Sequence, residues 1–170
     1  MSAMAQPEPW LRGSLTDVPP VHRGTLHALE LATEDLERWC GKLTDEQLNA
    51  RPSGIAPVAF HIRHIARSID RLLSYAEESP LTGAQLAALQ SEMAGGATGR
   101  ELFVELEAAF SQTALRIRAL AATPLDLPRK VGRKELPTTV GGLLVHIADH
   151  TQRHVGQAIT TAKIVAATGP

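Results

Sequence analysis

Histidines are the residues of this chain best suited to chemistry. There are seven: His22, His27, His61, His64, His146, His150 and His154. The last three follow one another at intervals of four. A helix turns about 100° per residue, so four residues bring a side chain back to within about 40° of its starting direction. His146, His150 and His154 therefore share one stripe, and a pair spaced i,i+4 can close on a single metal ion. Ile147 and Ala158 mark the inward face of this segment. On that wheel His150 and His154 fall nearest the core and are the preferred ligands. His146 falls on the flank, as a group behind the ligands or in solvent.

A third ligand must come from another element. His61 and His64 lie in a segment whose apolar face centres near Ile62, Ile65 and Ile69. The wheel puts His61 on the shoulder of that face and His64 further round, so amphipathicity alone gives His61 a mild preference.

Three neutral imidazoles leave a divalent ion its full charge and at least one open position, the arrangement of catalytic rather than closed structural sites. Water held there is acidified towards neutrality, and a thiol would be deprotonated likewise. The chemistry open to such a site is metal-assisted hydrolysis or attack by a metal-held thiolate. Each imidazole needs a partner on its other nitrogen. Asp149, Asp70, Gln157 and Glu30 are within plausible reach, and Arg153 and Gln157 are candidates for substrate contact. Cys40 sits on an apolar helix face, where a cysteine is a small buried hydrophobe rather than a nucleophile. Tyr75 lies too far along its helix to reach the ion.

The elements that must position these groups are helical. Leu26, Leu29, Leu36, Cys40 and Leu43 recur at three- and four-residue spacing and predict a first helix from about Val21 to Gly41. A second, from near Pro57 to Glu78, buries Val58, Ile62, Ile65, Ile69, Leu72, Leu73 and Ala76. A third opens at Thr98-x-x-Glu101 and carries Leu102, Leu106, Phe110, Thr113, Ile117 and Leu120. The fourth runs from about Thr139 to Val165, with Val140, Leu144, Ile147, Ala158 and Ala162 inward. Thr44-x-x-Gln47 and Thr82-x-x-Gln85 are further capping boxes opening short helices. Residues 123–137, with prolines at 124, 128 and 137, read as the longest loop. Residues 1–18 read as an irregular arm whose Trp10-Leu11 pair docks on the domain formed by 19–170. The fold class is all-α: an up-down four-helix bundle with short extra helices in the connections.

Composition agrees. The chain has 170 residues, 44% hydrophobic and only 4% aromatic, so its core is built from Leu, Ile, Val and Ala. The net charge of −1 offers no basic stripe for nucleic acid. No apolar run is long enough to span a membrane. The single cysteine excludes an internal disulfide, and with no apolar leader at the N-terminus the expected setting is cytoplasmic.

The segments carrying the histidines have a familiar look. Leu143-Leu-Val-His-Ile-Ala-Asp-His-Thr-Gln-Arg-His-Val-Gly-Gln157 resembles the last helix of the DinB-like, YfiT-like metalloenzyme family, with two histidines four apart followed by a Gly-Gln pair. Val58-Ala-Phe-His-Ile-Arg-His-Ile-Ala-Arg-Ser-Ile-Asp-Arg-Leu-Leu73 resembles that family's second helix, where the metal histidine precedes a small apolar pair, as His64 precedes Ile65-Ala66. The turn Leu43–Leu48 followed by Arg51-Pro52 matches the run-up. The resemblance covers about residues 20–165. It implies a four-helix bundle and a three-histidine site of His64, His150 and His154 holding nickel or zinc, with His61 as the alternative third ligand. It also implies a homodimer, and a small-molecule substrate handled by a hydrolase or by an S-transferase using a low-molecular-weight thiol. The competing reading is a non-catalytic metal-binding or dimerising bundle.

Overall fold

A computed structural model describes residues 6–167 of the chain. The four long helices are α1 (Pro20–Cys40), α3 (Val58–Ala76), α5 (Gly99–Ala119) and α6 (Val140–Ala167), with α2 (Asp45–Asn49) and α4 (Gly83–Gln90) as short helices in the connections. All three capping boxes form: Thr44 with Gln47, Thr82 with Gln85 and Thr98 with Glu101, each threonine hydroxyl accepting from the third backbone N–H while the third side chain accepts from the threonine N–H. Pro57 is the residue before α3 rather than its first turn, in the extended conformation.

The predicted apolar faces are the core. Leu36, Ile62, Ile65, Ile69, Leu73, Ile117, Leu144 and Ile147 are fully buried. The closely packed pairs are α1 with α6, α6 with α3, and α3 with α5, while α1 meets α5 more lightly. Second and fourth long helices are thus direct neighbours, as a shared histidine site requires. On the lighter side, between α1 and α5, a groove of about 410 Å³ is floored by Leu26, Leu29, Phe103 and Phe110.

Two expectations fail. Residues 123–137 are not simply a loop: β1 (Pro128–Val131) and β2 (Leu136–Thr139) pair antiparallel, with Pro128 opposite Thr139 and Lys130 opposite Pro137. Gly132 makes the turn possible with φ of 71°, a value that glycine adopts without steric cost. The hairpin feeds directly into α6, where the Thr139 hydroxyl accepts from the Gly142 N–H, and Arg129 Nε donates to the Ala76 carbonyl at the end of α3. The arm is anchored differently from the reading above. Trp10 and Leu11 are 62% and 57% exposed. Pro9 and Val18 are buried instead, and Arg12 makes a two-pronged bond to Glu34 at 2.6 and 2.8 Å.

Candidate metal centre

The site is built where α3 meets α6. Ile62, Ile65 and Ile69 on one helix and Leu144, Ile147 and Val155 on the other are all buried and fix the relative register of the two. Side chains on the polar shoulder of that seam then have little freedom. His64, His150 and His154 converge there, each offering one ring nitrogen, and the three nitrogens lie within 4.8 Å of one another. Ring centroids are 4.4 Å apart for His64 and His154 and 4.6 Å for His150 and His154. Phe60 stacks on the His64 ring with planes 21° apart.

Hydrogen bonds orient the rings of the cluster. His64 Nδ1 donates to Glu92 Oε2 at 2.6 Å, so in the neutral ring its Nε2 carries a bare lone pair. The Ser68 hydroxyl stands 3.2 Å from the Ile65 carbonyl and 3.4 Å from His150 Nδ1, where it holds the orientation of that ring. The Nε2 atoms of His64 and His150 stand 3.2 Å apart. At that distance the two nitrogens share either a proton, as an N–H···N hydrogen bond, or a cation. A metal bound at about 2.0–2.1 Å from each nitrogen would hold them about 3.0 Å apart at a right angle and about 3.4 Å apart at the tetrahedral angle. The observed spacing falls between. The donor set therefore fits a divalent ion. The third ring, His154, shares the proton between its Nδ1 and His61 Nδ1, 3.0 Å away.

Electrostatics favour the neutral form of His61, His150 and His154, the state a ligand needs. Burial, followed by the neighbouring imidazoles, pushes His61 and His150 down to about 4. His154 is also pushed down to about 4, by burial first, then by His64 and Arg153. Glu92 is kept charged. Burial opposes its charge, but hydrogen bonds from His64 and Arg71 outweigh burial and hold it below the usual carboxylate range. It is an anion with both oxygens engaged, Oε1 accepting from Arg71 Nη1 at 2.7 Å.

Comparison with known families meets this geometry. The DinB superfamily model matches residues 28–158, more than half of the chain. The chain belongs to the DinB superfamily. No curated protein and no solved structure matches it.

In this DinB-superfamily chain the sequence-predicted residues fall as follows. His64, His150 and His154 come together. His61 is buried one ring behind His154. His146 is exposed, 3.9 Å from Asp149. None of the four groups expected behind the ligands is hydrogen-bonded to them. Asp149 is bonded to Arg153, and Asp70 to Arg116 and Gln85. Glu30 lines the groove between α1 and α5. Gln157 and Arg153 line a separate groove of about 530 Å³ that opens beside His61, with Gly156 and Thr160. Cys40 is fully buried, and burial pushes its thiol up to about 11. Sequence reasoning missed Glu92, Arg71 and Ser68. One signal was available for Glu92: it is the lone acid in the run Ala84–Gly96, which is otherwise small, polar-neutral or apolar.

Proposed function

We propose that this chain is a metal-dependent enzyme in which His64, His150 and His154 hold one zinc or nickel ion with an open coordination position. The observation that supports this reading most is the convergence of one ring nitrogen from each of His64, His150 and His154 within 4.8 Å, with the Nε2 atoms of His64 and His150 3.2 Å apart. With three protein ligands, a bound ion would supply Lewis acidity and an acidified water or thiol at neutral pH. The rest is done by the chain. Glu92 and Ser68 fix the ring orientations of His64 and His150. Phe60 shields one face of His64 from water. The groove beside His61 gives an organic substrate a place to lie, with the Arg153 guanidinium and the Gln157 amide as polar contacts.

The reaction class is hydrolysis or transfer of a low-molecular-weight thiol to an electrophile, since both need a nucleophile generated in the open position. A homodimer in a reduced, cytoplasmic setting completes the reading. The family resemblance supports the dimer, and a single buried thiol accords with the setting. Among the described residues no helix is long and apolar enough to cross a membrane.

The test is metal analysis of protein purified without a histidine tag, followed by a screen of thiols paired with electrophiles. Stoichiometric zinc or nickel that disappears in His150→Ala, with turnover lost in parallel, is the expected result. Metal content unchanged in His150→Ala would refute the ligand set. Bound metal without turnover on any thiol or hydrolysable substrate would favour a non-catalytic centre.

A further inference from the structure

The segment 83–96 crosses α3 as a strap, and its side chains are unusual. Helix α4 within it has no buried residue, and Leu86, Leu89 and Met93 are 41%, 44% and 46% exposed. A helix of eight residues with no buried apolar face has little stability of its own. Within 83–96 a single residue is buried, and it is an acid, Glu92.

What seats the strap is polar. Three arginines at four-residue spacing along α3 reach up to it. Arg63 donates to the Ala94 carbonyl at 2.7 Å, Arg67 to the Ala88 carbonyl at 2.8 Å and the Ser91 hydroxyl at 2.9 Å, and Arg71 to Glu92 at 2.7 Å. Gln85 adds bonds to Asp70 and Ser74. The buried end of this ladder is the Arg71–Glu92–His64 chain, which terminates at the candidate metal centre.

We propose that Glu92 is a positioning residue through which metal occupancy and seating of the strap 83–96 are coupled. The inference rests on the metal-site reading above. A cation on His64 Nε2 withdraws electrons from the ring and makes Nδ1–H a stronger donor to the Glu92 carboxylate. The strap is therefore held more firmly when the ion is present. Linkage makes the effect reciprocal: seating the strap must raise metal affinity by the same factor. The strap lies at the low end of local stability because nothing apolar pins it, so the coupling should be visible as local opening.

The experiment is amide hydrogen exchange over 83–96, together with Zn²⁺ affinity by chelator competition, on the full chain with and without Zn²⁺. Wild type, Glu92→Gln, Arg71→Gln and Glu92→Asp are compared. The expected result is slower exchange in the strap on adding Zn²⁺, about 10–100-fold weaker binding in Glu92→Gln and Arg71→Gln, and partial recovery in Glu92→Asp. In the two glutamine variants the exchange difference should shrink towards nothing. Wild type that binds Zn²⁺ with no change in strap exchange would overturn the coupling, whatever the variants do. So would Glu92→Gln and Arg71→Gln with wild-type affinity. Wild type that binds no Zn²⁺ would instead overturn the metal-site reading. Should Glu92→Gln fail to fold, Arg71→Gln and the wild-type exchange difference still decide.

Discussion

His61 and the three converging histidines differ in what their removal should cost, and the difference can be worked from their bonds. His61 touches the cluster through a single contact, Nδ1 to His154 Nδ1 at 3.0 Å. Deleting it in His61→Ala removes the group that orients His154 but no donor to the ion. Loss of such a partner weakens metal binding about 10–100-fold, or about 1.4–2.7 kcal/mol. Deleting His64, His150 or His154 removes a donor. Four-ligand zinc sites bind with about 10–16 kcal/mol, so each ligand contributes roughly 2.5–4 kcal/mol, or about two to three powers of ten. Competition titration of tag-free protein with a zinc-chelating dye at pH 7.5 reads all four variants on one scale. Circular dichroism on each establishes that the bundle is intact. The predicted order is a large loss for the three donors and a smaller one for His61→Ala. A near-wild-type His64→Ala beside a crippled His61→Ala would refute the assignment and put His61 on the ion. Four variants indistinguishable from wild type would remove the site altogether.

In metal-free protein, His61, His150 and His154 are each depressed to about 4 from the ordinary 6.5. The unfolded chain therefore binds more protons than the folded one between those values. Stability should be complete above pH 6.5 and fall as pH drops from 6.5 to 4. Urea midpoints measured from pH 7.5 to 4.5 check the sign, and a flat profile would contradict it. Leu36 is fully buried on α1, a helix that carries none of the converging histidines His64, His150 and His154. Leu36→Ala should lower the unfolding free energy by about 2–5 kcal/mol in denaturant melts while leaving metal stoichiometry at the wild-type value. Cys40, buried and with its thiol pushed up to about 11, should resist an aromatic disulfide reagent at pH 8 and react at once when urea unfolds the chain. Rapid labelling of native protein would show that the core opens around it.

How much of this was legible in the sequence follows from what each feature depends on. Helices α1, α3, α5 and α6 carry apolar periods of three and four over 19 residues or more, and a pattern that long specifies both the element and its buried face. The three capping boxes are local and equally readable. His150 and His154 follow from spacing within one helix. His64 does not, because choosing it over His61 needs the relative rotation of two helices. The wheel leaned towards His61, which is indeed the more buried of the pair, yet the ring that meets His150 is His64. The hairpin was illegible for a different reason. Pro128-Arg-Lys-Val131 and Leu136-Pro-Thr-Thr139 have no alternating apolar face and a proline in each strand, so no strand signal rises above a loop. Asp70 and Asp149 looked available by proximity along the helix, but nearby arginines engage both. Nor does any local pattern connect Glu92 to His64, 28 residues earlier.

These failures share a cause that bears on function. Burying Glu92 costs solvation that only Arg71 and the His64 N–H offset, and three imidazoles are gathered on one polar shoulder beside it. A chain shaped by stability alone would put apolar side chains on this shoulder of the α3–α6 seam, where Ile65 and Ile147 already pack well. Groups that disobey local folding rules while the surrounding helices obey them point to a site whose purpose is chemical. That is why the metal assignment rests on the convergence of the three histidines together with the buried carboxylate behind His64.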